Sequence, residues 1–450
     1  MIENVSTTMR AAICVAAGGP EVLEVRELPV PRVREGWSLV RVMGAGLNRS
    51  ELRTRQGHSP SVRFPRVLGI ECVGTVAAST DPRLPEGTTV AAVMGEMGRE
   101  FDGGYAEYAL LPNSLLMPIE TELPWEVLAA LPETYLTAQG AMDALGVAPG
   151  DRSRLLIRGG TSSVGMAAAS IASGYGLDIA ATTRQPGKAA ALTGAGVDHV
   201  LLDDGGSPAE TIREFWPEGP DYVLDLVGSA TLADSLRLVR RGGTVCVSGS
   251  LSGWLIPDFE PIAMIPPGTK LTAFHSDSYK GETALLQRVV REVEAGVYRP
   301  NVDRVFRLDD IAEAHRYMED NRATGKLVML PRASLRGLAP DEFPAVGRRG
   351  GLEHGEGGVH GREHPHADGE HLHPRRVDRG GNIGDCEIEH GAGVVHPAVH
   401  GSRLLVGRSD RIGHFVPGAR LGFGRVLVAD HPELEIRDRH RGFGVPQRLV

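Results

Sequence analysis

The chain reads as an α/β protein in which a β-rich domain precedes a domain built on a parallel sheet. Three observations predict this. Residues 10 to about 130 carry short Val- and Leu-rich runs, each closed by Gly or Pro. From about 135 to 265, apolar strands alternate with Ala- and Leu-containing helical patterns, the rhythm of βα units. One of those strands also runs through a glycine-rich turn into an alanine-rich helix, in "LLIRGGTSSVGMAAASIASGYG". At 450 residues the chain exceeds what a single hydrophobic core usually serves.

Bulk properties narrow the classes. Hydrophobic residues make up 41% and charged residues 23%, and no run approaches the roughly 20 apolar residues of a membrane span, so no membrane partner is expected. A net charge of -9 argues against a nucleic-acid partner. Cys14, Cys72, Cys246 and Cys386 lie too far apart for a local zinc cluster or a disulfide framework. The opening "MIENVSTTMRAAICVAAGGPEV" lacks the order of a secretory signal, which makes the cytoplasm the expected location.

The elements follow in order. "EVLEVRELPV", "SLVRVMGAGL", "RVLGIECVGTVAA" and "TTVAAVMG" read as the strands of the first domain, residues 9–134. "RLLIRGG", "LDIAATTR", "DHVLLDD", "DYVLDLVG" and "GTVCVSGS" read as strands of the second, residues 135–265. Residues 266–330 follow, with "ETALLQRVVREVEAG" placing Leu285, Val289 and Val293 on one helical face, an Asp-capped helix in "RLDDIAEAHRYMED", and a strand in "GKLVML". From 331 to 450 the composition shifts: 12 of the 16 histidines lie there, and Thr, Tyr, Trp, Met and Lys are missing. That Gly/Arg/His-rich tail is expected to be a disordered, out-of-frame or readthrough extension, with a small accessory domain, on the strand-like runs "SRLLVG" and "GRVLVADH", as the alternative. Its His364, His366, His371 and His373 are read as coincidental rather than as a preorganised metal site.

The glycine-rich turn suits a pyrophosphate, because a strand feeding a helix start aims backbone N–H groups and the positive helix end at one spot. Gly160 is expected to take a conformation closed to other residues, Thr161, Ser162, Ser163 and Val164 to line the turn, and Gly165 to let the helix pack closely. A plain strand-to-helix connection explains the segment as well. No carboxylate stands at the end of the next strand, where a dinucleotide fold meets the adenosine ribose. Thr182, Thr183, Arg184 and Lys188 stand there, a set that favours a 2′-phosphate and hence NADPH over NADH; a solvated helix start is the alternative.

Residues 9 to 330 resemble the medium-chain dehydrogenase/reductase superfamily, in its zinc-free quinone oxidoreductase (zeta-crystallin-like) branch. The resemblance rests on ordered segments: "GAGLNRSELRTRQG", "PRVLGIECVGTV", "FDGGYAEYALLP", "ALPETYLTAQGAMDALGVAPGDRSRLLIRGG", "GGTSSVG" and "ATGKLVML". It implies a GroES-like β-rich domain completed by the returning 266–330 stretch, with a Rossmann doubly wound domain between. Where zinc-dependent members carry their catalytic ligands this chain has Asn48, Ile70 and Glu133, and the four-cysteine lobe is missing from "MGEMGREFDGGYAEY". A zinc site is therefore not expected.

The resemblance implies hydride transfer from NADPH to a small quinone or α,β-unsaturated carbonyl substrate, whose electrophilic carbon needs no Lewis acid. Asn48 is the first catalytic candidate, as an amide donor, with a turn residue as the alternative. Tyr135 is the second, as a phenol donor, with a buried structural tyrosine as the alternative. Carry-over from the family sets Val227, Gly228, Ser248 and Gly249 along the cofactor, with Phe274 and His275 at its nicotinamide end and Lys326 within reach; core or solvated roles describe the last three equally well. A homodimer joined through sheet edges is implied. A zinc-type alcohol dehydrogenase and a non-catalytic, crystallin-like NADPH-binding protein are the competing functions.

Overall fold

The computed structural model describes residues 7–253 and 255–331. The expectations for the tail and its histidines lie outside the described residues.

The first part of the chain builds two β layers. β1 (Thr8–Cys14) pairs antiparallel with β2 (Leu23–Pro29) and with the short β4 (Arg66–Val67). β3 (Trp37–Leu47) is the spine of the larger sheet and pairs with β5 (Glu71–Ser79) and β7 (Tyr108–Pro112). β6 (Thr89–Val93) and β8 (Met117–Pro118) extend it on one side. Two late strands, β15 (Val302–Arg307) and β16 (Lys326–Leu330), return to β3 through the pairing Leu327–Leu47. This is the GroES-like half, closed by residues remote in sequence.

Between these portions lies a six-stranded, wholly parallel sheet. Its strands are β9 (Arg154–Arg158), β10 (Asp178–Thr183), β11 (His199–Leu202), β12 (Tyr222–Asp225), β13 (Thr244–Val247) and β14 (Lys270–Ala273), in the order β11-β10-β9-β12-β13-β14. Order reverses at β9, the arrangement of a doubly wound Rossmann sheet. Parallel strands covered on both faces bury successive side chains. Leu155 and Ile157 accordingly join the core under the helices Pro132–Leu145 and Ser163–Tyr175, while Leu156 joins Val223, Val245 and Trp216 on the opposite face.

Two expectations shift. The parallel sheet runs on to Ala273, past the predicted boundary at 265, because β14 pairs with β13. The helix Thr283–Glu294 fully buries Leu286, Val289 and Val290, with Leu285 and Val293 at the flanks of that face. The apolar stripe is two residues wide per turn, so periodicity alone left its centre a residue off. Among the described residues no helix is long and apolar enough to cross a membrane.

Candidate active site

The turn after β9 is shaped by glycine and read through its main chain. Gly159, not Gly160, takes the left-handed conformation, with φ at +78°. Gly160 is needed for space: a Cβ there would sit 2.8 Å from Cβ of Ala181. At Gly165 a Cβ would lie 2.5 Å from the carbonyl oxygen of Gly160, so only glycine lets the helix begin this close to its own turn. Ser162 caps that helix, its hydroxyl accepting from Gly165 N–H at 3.1 Å and donating to the Gly159 carbonyl at 2.8 Å. The N–H groups of Ser163 and Val164 have no intrahelical acceptor, as in any first turn, and share the positive helix end. Thr161 faces the other half of the molecule, its carbonyl accepting from Gly325 N–H at 3.1 Å.

At the end of β10 the hydroxyls turn inward. Thr182 accepts from Gly159 N–H at 3.0 Å, and Thr183 is buried against the backbone of Gln185. Lys188 donates to the carbonyls of Asn321 (2.8 Å) and Ala323 (2.7 Å), which engages two of its three N–H groups. Arg184 is exposed.

Val227 and Gly228 both donate to the buried Asp225 carboxylate, at 3.0 and 2.9 Å. A Cβ on Gly249 would stand 2.2 Å from the Leu226 carbonyl, so β12 and β13 end in close approach. Ser248 donates to the Phe274 carbonyl at 3.2 Å. The Phe274 ring is wedged over Gly140 and edge-on to Tyr279, a packing position. His275 is exposed, with Nδ1 accepting from Asp277 N–H. These residues frame the crevice at the carboxyl ends of the parallel strands, where such sheets bind ligands.

Where the two sheets meet, side chains from separate segments converge on a buried polar cluster. Lys326, at the start of β16, donates through Nζ to Glu71 Oε1 at 2.6 Å and to Asn48 Oδ1 at 2.7 Å. Asn48 Nδ2 donates to the same Glu71 oxygen at 2.9 Å and, at 3.3 Å, to Glu51. Both N–H groups of the amide thus face carboxylates. Asn48 organises the cluster instead of offering a free donor, and Lys326 is seated in it instead of reaching outward. Room for the ion pair comes from Gly46 on β3: a Cβ there would lie 2.3 Å from Glu71 Oε1 and 2.5 Å from Lys326 Cε.

Glu51 and Glu133 complete the set. Glu51 accepts from Ile70 N–H at 3.1 Å and Asn48 N–H at 3.1 Å; burial still pushes its carboxyl up to about 7. Glu133 sits in the first turn of the Pro132 helix, and its Oε1 accepts from Ser276 (2.8 Å) and Thr137 (3.1 Å). Burial, reinforced by the Glu71 charge, pushes it up to about 8, so near neutral pH it carries a proton. Three carboxyls and one ammonium share this space, and burial holds Glu133 in its neutral form near neutral pH.

Tyr135 is elsewhere in role. It is 1% exposed and stacks on Tyr298, ring centroids 5.9 Å apart, within the core that the Pro132 and Ser163 helices share. Burial raises its phenol well above the ordinary value, so it is a packing residue. The sequence reading missed Glu51, Glu71, Thr137 and Ser276. One signal was available: Asn48 followed three residues later by Glu51 is a capping-box pattern. Nearby, His315 is fully buried with neither ring nitrogen partnered among the described residues, edge-on to Tyr105. Burial, aided by the Arg55 charge, pushes it down to about 3.

Residues 34–121 match the family model for the alcohol dehydrogenase GroES-like domain, and residues 195–329 the one for zinc-binding dehydrogenases. Human quinone oxidoreductase is 28% identical over 330 residues, covering 72% of this chain and 98% of that protein. The chain belongs to the medium-chain dehydrogenase/reductase superfamily, in its quinone oxidoreductase branch. Two solved structures show the same fold. An NAD-dependent alcohol dehydrogenase is 29% identical with a TM-score of 0.64, covering 72% of this chain and 99% of its own. A mycobacterial protein complexed with NADPH is 27% identical, also with a TM-score of 0.64, covering 72% of this chain and 100% of its own. As a member of this superfamily the chain is an oxidoreductase acting on a small molecule.

The residues fit a nicotinamide dinucleotide: the turn has the close glycine approaches and open first-turn N–H groups that a pyrophosphate needs. They do not fit zinc. Ile70 is apolar, the Asn48 oxygen already accepts from an ammonium, and Glu133 is held neutral.

Proposed function

We propose that the chain is an NADPH-dependent, metal-independent reductase that transfers hydride to a quinone or an α,β-unsaturated carbonyl compound. The observation that carries this reading is the buried Lys326 ammonium between Glu71 and Asn48. It answers the carboxylate charge from within the chain, at a donor set that cannot hold a Lewis acid. An acceptor must then bring its own electrophilic carbon, as quinones and enones do. Reduced nicotinamide, when bound, supplies the hydride. The Gly159–Gly165 turn orients the pyrophosphate through main-chain N–H groups, and Gly228 and Gly249 let the cofactor approach the ends of β12 and β13. Ile70 in the core and the Phe274 ring packed against it supply apolar surroundings, which strengthen the electrostatic interactions nearby. Glu133 holds the proton that the reduced acceptor needs.

The 2′-phosphate of NADPH is assigned to Arg184, which is exposed at the end of β10. The division of the chain belongs to the same reading: residues 9–134 and the return at β15 and β16 as catalytic domain, with the nucleotide domain from 135 extended through β14. So do a cytoplasmic setting and a homodimer joined along β14, one of the two edge strands of the parallel sheet.

The test combines metal analysis, an acceptor screen and coenzyme titration. NADPH oxidation is expected with quinones or enones, unaffected by chelators. Arg184→Ala should weaken NADPH binding about tenfold with little change for NADH. Lys188→Ala should change either by less than about twofold, since its N–H groups are engaged by carbonyls. Activity abolished by a chelator and restored by Zn²⁺, or equal affinity for both coenzymes, would overturn the reading.

A further inference from the structure

The end of β10 gathers positive charge, and part of it comes from the other half of the molecule. The turn 318–323, which leads into β16, gathers it. Asn321 takes the left-handed conformation (φ +56°). Its carbonyl accepts from Lys188 Nζ, and from Gln185 Nε2 at 3.4 Å. Its side-chain oxygen accepts from Arg49 Nη2 at 2.5 Å, and the same Nη2 reaches the Met318 carbonyl at 3.3 Å. Arg49 opens the short helix Arg49–Arg55 of the β-rich half, whereas Gln185 and Lys188 follow β10. One turn therefore draws Arg49 and Lys188 together, and the Arg184 charge acts on both.

Asp303 answers Lys188, but among the described residues no carboxylate forms an ion pair with Arg49 or Arg184. Glu319, the acid that acts on Arg49, is already bound to Arg55 and Gln56. Burial first, then repulsion from Arg184 and Arg53, lowers the affinity of Arg49 for its proton. Lys188 is lowered by burial and by Arg184 and Arg49, against the pull of Asp303. Only Nη2 of Arg49 is engaged by these contacts, which leaves Nε–H and the two Nη1–H donors of a guanidinium for a phosphate.

We propose that Arg49 is a specificity-determining residue: with Arg184 it clamps the 2′-phosphate of NADPH from the opposite side of the cleft, Lys188 adding charge but few free donors. This rests on the NADPH reading above, and it makes coenzyme choice a property of both halves. A phosphate monoester would relieve the mutual repulsion of the cations, and NADH brings no such group. A guanidinium on the shared pyrophosphate would instead serve both coenzymes alike, so the two positions separate experimentally.

The test is equilibrium binding to the full chain, followed by fluorescence or calorimetry and independent of turnover. NADPH, NADH, and the fragments adenosine 2′,5′-bisphosphate and 5′-AMP are titrated into wild type, Arg49→Ala and Arg49→Lys, with thermal melts confirming folding. Arg49→Ala is expected to weaken NADPH and the bisphosphate about tenfold while changing NADH and 5′-AMP less than twofold. Arg49→Lys should recover part of the loss, a point charge replacing a fork. Equal weakening of both coenzymes, or a preference for NADPH that Arg49→Ala leaves undiminished, overturns the role of Arg49 alone. A wild type that binds both coenzymes equally overturns the NADPH reading and this proposal together.

Discussion

The two sides of the cleft are built in opposite ways. The turn after β9 presents main chain and glycine, drawn from seven consecutive residues, Gly159 to Gly165. The cluster around Lys326 is made of side chains from β16, β5, the helix starts after Asn48 and Leu131, and the segment after β14. A main-chain site tolerates exchange of side chains but no added Cβ at its glycines. A side-chain site fails whenever a charge loses its partner. Function at one depends on shape and at the other on charge balance.

The largest expected effect belongs to the charged side. Lys326→Met leaves Glu71 buried without its cation, which should cost about 3–5 kcal/mol in denaturant unfolding. Adding Glu71→Gln should return most of that loss. An unchanged single variant would break the comparison.

The main-chain side is probed next. Gly165→Val presses a side chain onto the Gly160 carbonyl and should weaken NADPH binding about 100-fold, close to 3 kcal/mol, whereas Ser163→Ala should change it less than about twofold. A large effect from Ser163→Ala would show that hydroxyls, not N–H groups, read the phosphate.

The smallest effect sharpens the charged side through pH. His315 titrates at about 3 when folded against an ordinary 6.5, so its contribution is fully present above pH 6.5 and is lost as pH falls. Roughly 2 kcal/mol should disappear between pH 6.5 and about 5, and His315→Phe should flatten that limb in pH-dependent melts. Glu51 and Glu133 run the other way. Their raised values make their contribution full below the ordinary 4.5, and it is lost as pH climbs through about 7 and about 8. Stability that keeps rising from pH 6 to 9 would contradict both assignments.

The fold and the glycine-rich turn were legible in sequence because both are local. Strand spacing, the Gly159–Gly165 run and the missing carboxylate after β10 lie within short windows, and their physics does not depend on distant residues. Even there the detail moved by one position: Gly159 turns left-handed, while Gly160 is required by the close approach of Ala181. The polar cluster was much less legible. Asn48 was singled out as a donor, yet what its amide faces is set by Glu71 and Lys326, whose positions are fixed by sheet pairing across hundreds of residues. Glu71 in "LGIECVGTV" and Lys326 in "TGKLVML" were each a lone charge in an apolar strand, which demands a partner without naming it. Tyr135 sat two residues from both Glu133 and Thr137, on the other side of their helix, and belonged to the core. Lys188 looked free in sequence and proved to be held by a turn some 130 residues away.

Gly46 carries a consequence of its own. A single hydrogen atom in β3 marks out the chamber in which acid and base meet, and with Gly46→Ala the methyl could be seated only by evicting one of the two ions. What looks like the least informative residue of a strand thus sets the electrical character of the buried cluster between Asn48, Glu71 and Lys326.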